Sequence, residues 1–233
     1  MTSVPSGLGA RRFPPRTPPV TAFRPAERRL IASLDTPIKV QTWLNGLPYN
    51  WEKRGETART FRGVAEHKRV QCLEAATCAA TILEQHGFPP IIVDIESTDE
   101  LDHVIFVYKQ KGQWGSIARS RCIGLHGRKP VFRSLDALVE SYVAPFIDPT
   151  GRVKGYGILD LRTLAAPWRL GRGNVWAVED ALYENKHKTF PTPEKVYRKW
   201  KTKFDAWWEA NGRPAHEWPS FYPGRRHWLA PPT

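Results

Sequence analysis

The chain has 233 residues, 41% of them hydrophobic, and a formal net charge of +12. This length allows one large domain with extensions, and no apolar run is long enough to predict a membrane-spanning helix. Three cysteines are too few for a disulfide framework, and residues 1–25 lack the apolar centre of a secretory signal. The composition therefore predicts a protein of a reducing compartment, the cytoplasm, with no membrane partner.

The first two predicted helices follow a basic segment. Residues 1–25 are rich in proline and arginine and are expected to form a disordered arm. A short helix is expected over Ala26–Leu34. A second is expected over Pro37–Asn45, where Thr36 and Pro37 supply the N-cap and the first turn. Residues 48–70 read as a polar connection.

The clearest helical pattern runs from Gln71 to His86 and ends at Gly87. Alanine, leucine and glutamate favour a helix, and small residues predict close packing against a core. Apolar residues recur at helical spacing at Leu73, Ala76, Ala80 and Leu83. Cys72 falls in the first turn of this helix.

Three strands are expected next, over Pro90–Ile95, Asp102–Lys109 and Trp114–Ser120. A hairpin turn over residues 110–113 joins the second strand to the third. His103 begins the second strand. A helix packed on an antiparallel sheet defines an α+β fold.

The remaining part of the chain predicts helices over Leu135–Val143, Val175–Glu184 and 193–210. The last helix is amphipathic, with one apolar stripe formed by Val196, Trp200, Phe204 and Trp207. Further aromatic residues follow among prolines and arginines at Trp218, Phe221, Tyr222 and Trp228. We expect this basic extension to pack on the core. Lysines interleaved with aromatic rings also suit nucleic acid, which is the alternative interpretation.

Cys72 and His103 are the candidate catalytic residues. A thiolate is the reactive form of cysteine, and a helix N-terminus or a nearby imidazolium lowers the pKa of the thiol. An imidazole within hydrogen-bond reach can then serve as the base. Alternatively, Cys72 is a buried packing residue and His103 a satisfied polar group.

The order of these elements resembles the core of the transglutaminase-like superfamily, within the papain-like cysteine enzymes. The resemblance covers residues 37–121: a cysteine-led helix, a hydrophobic strand, a histidine-led strand and a strand carrying Trp114. It implies that Cys72 is the nucleophile and that His103 is its base. The family's third residue is usually an aspartate after the tryptophan.

The third strand has no acidic residue, so Ser116 is the candidate that orients His103, with Ser120 as the alternative. Asp102 is expected to point to the opposite sheet face from His103. Gln41 is a candidate oxyanion donor by analogy, although an exposed helix residue is the simpler interpretation. The predicted regions are a disordered basic arm (1–25), a transglutaminase-like domain (26–185) and an aromatic, basic extension (186–233).

Two other constellations compete with this site. Cys122 and His126 lie four residues apart, but the paired spacing typical of structural zinc sites is missing. Three arginines near them, at positions 119, 121 and 128, suit a substrate carboxylate or phosphate, or else internal ion pairs.

The sequence therefore predicts a cytoplasmic cysteine hydrolase or acyltransferase acting on a peptide, amide or related acyl bond, with no cofactor or metal. Hydrolysis is favoured because it needs no second substrate site. The alternative is a catalytically lapsed binding module whose basic flanks contact an anionic partner such as nucleic acid.

Overall fold

A computed structural model describes residues 17–214, 219 and 221–231. The chain is α+β, and its sheet is antiparallel throughout. The α-helices are α1 (Pro25–Ser33), α2 (Pro37–Asn45), α3 (Phe61–His67), α4 (Cys72–Glu84), α5 (Leu135–Phe146), α6 (Trp176–Tyr183) and α7 (Glu194–Ala210). The strands are β1 (Ile91–Ser97), β2 (His103–Gln110), β3 (Gln113–Ile117), β4 (Arg128–Phe132), β5 (Val153–Asp160) and β6 (His187–Thr189).

The six strands lie in the order β4-β3-β2-β1-β5-β6, so β1 and β2 occupy the centre of the sheet. Helices cover both sheet faces, which explains why β2 is buried over six consecutive residues. One face carries Val104 and Phe106 and packs against α4, while the other carries Ile105 and Val107 and packs against α5. Alternate residues of each central strand therefore belong to two separate hydrophobic cores.

Several sequence predictions are confirmed at the level of single elements. Helix α2 covers Pro37–Asn45, and α4 begins at Cys72. Gly87 follows α4 with a φ of 86°, a left-handed conformation that glycine adopts without strain. The β2–β3 turn has positive φ at Lys111 (50°) and Gly112 (77°), as a two-residue hairpin turn of type I′ requires.

Described residues of the N-terminal and C-terminal flanks pack against the elements between them. Residues 1–16 of the predicted arm and Trp218 lie outside the described residues. Phe23, inside the expected arm, is 2% exposed, and its ring lies 6.1 Å from that of Phe61. In the C-terminal extension Trp228 is fully buried and pairs with Arg128 of β4. Apolar contacts therefore hold both flanks against the domain.

The connection predicted over residues 48–70 contains α3, which the sequence analysis missed. Phe61 and Val64 of this helix are fully buried, and Thr60 caps its first turn by accepting the Gly63 N–H. Among residues 17–214 and 221–231, no helix combines the length and the apolar character needed to cross a membrane.

A buried ion pair joins α4 to the segment before α6. Arg169 donates from Nε and Nη2 to the two carboxylate oxygens of Glu84, at 2.6 and 2.7 Å. Both side chains are almost fully buried, so neither charge can recover its hydration if the other is removed.

Replacing Arg169 by methionine should lower the free energy of unfolding by about 3–5 kcal/mol, because it leaves the Glu84 carboxylate buried and unpaired. Urea unfolding monitored by tryptophan fluorescence measures this loss. As a control, Arg213→Met removes an exposed pair with Glu209 and should cost less than about 1 kcal/mol. Equal losses in the two variants would contradict this account.

Candidate active site

The first turn of α4 is held by the buried carboxylate of Glu74. Gln71 caps the helix by accepting the Leu73 N–H at 2.6 Å, and Glu74 accepts the Gln71 N–H at 3.1 Å. The other Glu74 oxygen accepts the Thr57 hydroxyl at 2.7 Å and the Arg59 N–H at 3.2 Å. These bonds join the helix start, and Cys72 with it, to the segment that precedes α3.

Cys72 is half-buried and lines a cleft of about 380 Å³ at one end of the sheet. Burial, followed by the charges of Asp94 and Glu52, raises the pKa of its thiol to about 11. The N–H groups of Val104 and Leu73 lie near the sulfur and offset part of this increase. The thiol is therefore protonated at neutral pH.

His103 lines the same cleft but belongs to the other face of the sheet. Its Nε2 lies 2.9 Å from the carbonyl oxygen of Leu125, and its ring lies 6.1 Å from that of Tyr142 on α5. Burial and the charge of Arg128 lower the pKa of His103 to about 4. The imidazole is therefore neutral, and a proton on Nε2 leaves the lone pair on Nδ1.

The structure brings Cys72 and His103 to one cleft but not into direct contact. Across residues 17–214 and 221–231, no hydrogen bond joins the sulfur to the ring. Helix α4 packs on the sheet face that carries Val104, whereas His103 points to the α5 face with Ile105. The pair is thus two neutral groups approaching from different layers, not a thiolate–imidazolium pair.

The prediction that Ser116 contacts and orients His103 is wrong. Ser116 is fully buried, and its hydroxyl is shared between Tyr142, at 2.7 Å, and the N–H of Arg128, at 2.9 Å. It pairs with Val107 in the sheet, four residues or about 13 Å along β2 from His103. Ser120 does line the cleft, and its hydroxyl accepts the Cys122 N–H at 3.1 Å.

Gln41 holds the backbone of Ala118, the residue that follows β3. It is fully buried, whereas the sequence analysis suggested an exposed residue. Its carbonyl accepts the Ala118 N–H at 3.0 Å, and its amide donates to the Ala118 carbonyl and to Asn45, each at 2.8 Å. Both amide hydrogens are thereby used, so Gln41 has no donor left for an oxyanion.

The three arginines of the predicted loop separate in the structure. Arg128 is fully buried and donates to the carbonyls of Gly124 and His126, each at 2.6 Å. Arg119 is partly buried beside His126, whereas Arg121 lines the cleft. Arg128 therefore organises the loop and does not face a ligand.

No metal centre is found among the described residues, where no three His, Cys, Asp or Glu side chains converge to hold an ion. Cys122 is buried and directs its thiol toward the Pro145 carbonyl at 3.7 Å, while His126 contacts Asn45 and Ser120. The zinc interpretation of this cysteine and histidine has no third ligand in the described part of the chain.

The cleft is acidic although the chain as a whole is strongly basic. Its lining includes seven carboxylates, at Glu52, Asp94, Asp99, Glu100, Asp102, Asp148 and Glu179. Arg121 is the one lysine or arginine among the described lining residues. Tyr49, Trp51 and Tyr183 add aromatic surface. This field explains in part why the pKa of the Cys72 thiol is raised.

Asp94 is the most deeply buried of these carboxylates, and the sequence analysis missed it. It lies on the α4 face of β1, directly across from Val104 in one direction and from Gly157 in the other. His187 of β6 reaches over Gly157 and places Nε2 3.0 Å from Asp94 Oδ2. A side chain at Gly157 would occupy this path, since its Cβ would lie 2.9 Å from that nitrogen.

The sequence did carry a signal for Asp94, because a carboxylate interrupts the run Ile91-Ile92-Val93-Asp94-Ile95 in a central strand. Burial and the nearby charge of Asp102 raise the pKa of Asp94 to about 6. A carboxylate in such a position is a marker of a functional cleft.

Comparison with known proteins adds no family to this description: no protein-family model and no curated protein sequence matches the chain.

The Cys72 thiol should react with iodoacetamide at a rate that still rises above pH 9, because its pKa is raised in the folded protein. Site-resolved mass spectrometry between pH 6.5 and 10 measures the rate. The unfolded chain in urea is the control, with an ordinary thiol pKa. A folded-state rate that levels off below pH 8 would contradict a neutral resting thiol.

Buried neutral His103 should make stability depend on pH between 6.5 and 4. The unfolded chain binds a proton at pH 6.5 but the folded chain only near pH 4, so stability falls as pH decreases through this window. The free energy of unfolding of the wild-type protein should fall between pH 7 and pH 4.5. In His103→Gln this fall should be smaller by roughly 2–3 kcal/mol. The wild-type protein, measured over the same pH range, is the reference. Parallel pH curves for the two proteins would refute this.

Proposed function

We propose that the chain is a cysteine-dependent hydrolase or acyltransferase acting on a peptide, amide or related acyl bond, with Cys72 as nucleophile and His103 as its proton carrier. The observation that supports this most is that the thiol at the start of α4 and the ring of His103 line one cleft. The element order, a cysteine-led helix on an antiparallel sheet with a histidine-led strand, is compatible with a transglutaminase-like core.

The reaction begins from neutral groups. As the sulfur bonds to the acyl carbon, its proton passes to Nδ1 of His103, whose other nitrogen holds its proton toward Leu125. Collapse of the tetrahedral intermediate breaks the acyl bond, and the imidazolium returns the proton to the leaving amine. Water or a second amine then attacks the thioester, gives its proton to His103, and the thiol leaves with that proton.

Hydrolysis is favoured over transfer because water needs no second binding site. None of these steps requires a metal or an organic cofactor. All three cysteines are free thiols, which suits a reducing compartment such as the cytoplasm.

The pKa values of the two groups oppose the first proton transfer. With thiol and imidazole pKa values of about 11 and about 4, moving the proton from Cys72 to His103 costs roughly 10 kcal/mol. A working enzyme must therefore change this field when its substrate binds. Replacing acidic repulsion near the sulfur by a favourable charge would lower the thiol pKa.

The second candidate is a non-catalytic binding module on the same fold. It is favoured by the neutral resting pair and by the backbone carbonyl, in place of a carboxylate, that holds His103. The anionic partner suggested by the basic flanks would not enter the acidic cleft. It would contact the lysines of α7 instead, where Lys199 and Lys203 lie over the Trp200 ring.

Trapping with a peptidyl vinyl sulfone separates the two candidates. The enzyme proposal expects covalent modification of Cys72 at neutral pH, loss of modification in Cys72→Ala, and at least about tenfold slower modification in His103→Ala. Cys122→Ala is the matched control and should leave the modification of Cys72 unchanged, because the Cys122 thiol, although it lines the same cleft, is buried and directed toward the Pro145 carbonyl.

Comparison with iodoacetamide completes this test. Cys78 and Cys122 are buried, so faster alkylation of Cys72 than of those two thiols shows only exposure. The proposed pair would be excluded if the peptidyl vinyl sulfone modifies Cys72 at the same rate in His103→Ala as in the wild-type protein. No modification of the folded protein by any such probe would favour the binding module.

A further inference from the structure

We propose that the cleft binds a primary ammonium group of the substrate, with Asp94 as the central carboxylate. This deepens the proposed function by naming the chemical class of the substrate, and it rests on that function only in assigning the ammonium group to a molecule that Cys72 attacks. Ammonium binding itself requires no cysteine chemistry, so the two proposals can fail separately.

The first support is an oxygen without a partner. Asp94 is 4% exposed, and its Oδ2 is taken by His187, whereas its Oδ1 has no hydrogen-bond partner in the described part of the chain. A buried acceptor without a donor is unfavourable, because it has lost its water and gained nothing in return. Asp94 also lines the cleft, so a ligand there can supply the missing donor.

The second support is the charge around that oxygen. Asp102 lies close enough for its charge to disfavour ionisation of Asp94, and five further carboxylates line the same cleft. Such a concentration of negative charge in a cavity with low-dielectric walls attracts cations far more strongly than the same charges on an open surface. In a chain of net charge +12, this local reversal of sign selects a cationic ligand.

The type of cation follows from the geometry. A metal ion would need converging ligands, and none are found among the described residues. A guanidinium favours both oxygens of one carboxylate, but one Asp94 oxygen already contacts His187. An ammonium can instead direct its three donors to separate acceptors.

The position of Asp94 connects this binding to Cys72. Asp94 pairs across the sheet with Val104, whose N–H lies near the sulfur. The charges that raise the pKa of the thiol belong to Asp94 and Glu52. A bound ammonium would cancel part of this field and so favour the thiolate when substrate is present.

Titration calorimetry with two probes tests the proposal and separates two sources of the ammonium group. Spermidine, which carries ammonium groups but no acyl bond, probes ammonium binding by a small molecule alone, and an N-acetylated, C-amidated lysine tripeptide represents a protein side chain. The same tripeptide with acetyl-lysine is the uncharged control. At least one charged probe should bind, with about tenfold or greater weakening in Asp94→Asn, and the uncharged peptide should not bind.

Three further variants keep the result interpretable. Glu179→Gln, at the cleft on α6, should weaken binding a few-fold even if Asp94→Asn folds poorly. Glu209→Gln, an exposed α7 residue outside the cleft, should leave binding unchanged. Asp205→Asn, a second α7 carboxylate outside the cleft, should also leave binding unchanged. Failure of both charged probes to bind, or binding that is insensitive to both cleft variants, would overturn the proposal.

The trapping test and the calorimetry together distinguish the reaction of Cys72 from the binding of an ammonium group. Ammonium binding that persists while no acyl probe modifies Cys72 would support the ammonium site and defeat the proposed function. Modification of Cys72 by neutral probes, with no ammonium binding, would support the proposed function and overturn the ammonium site.

Discussion

The buried carboxylate of Glu74 is the constraint on which the candidate site depends. Burying a charged carboxylate is costly unless donors surround it, and here the donors come from Gln71, Thr57 and Arg59. These bonds make the start of α4 and the segment before α3 one unit. That segment also supplies Asn50 to the same carboxylate and Trp51 to the cleft. The thiol and part of the cleft wall are therefore fixed by one side chain.

Charge in this protein must be considered at the scale of the cleft. The net charge of +12 reflects mainly the two flanks, and at physiological salt a charge acts over about 8 Å. Within the cleft, carboxylates outnumber basic side chains. Their charges affect the pKa of the Cys72 thiol more than the net charge of the whole chain does. The chain as a whole is basic, whereas carboxylates dominate the lining of the cleft.

Local patterns predicted every α-helix except α3, and also the β2–β3 hairpin, since these elements depend on neighbouring residues. Strands β4, β5 and β6 were not predicted, because β4 contains Pro130, β5 carries Gly155 and Gly157, and β6 has only three residues. The error at Ser116 was avoidable. The turn at Lys111 and Gly112 sets a register that pairs Ser116 with Val107, and continued along β2 it places position 120 opposite His103. The face on which α4 packs depends on the tertiary arrangement, so the separation of Cys72 and His103 could not be inferred locally.

The cleft lies where two independently packed cores meet at the end of one sheet. Cys72 comes from the helix layer on one side and His103 from the opposite strand surface, so the sheet is their shared frame of reference. A strand alternates its side chains between faces at every residue. One inserted residue early in β2 would therefore exchange the imidazole at the cleft for a neighbour. A change of one residue at the start of this strand would therefore alter the chemistry of the cleft and leave both hydrophobic cores almost intact.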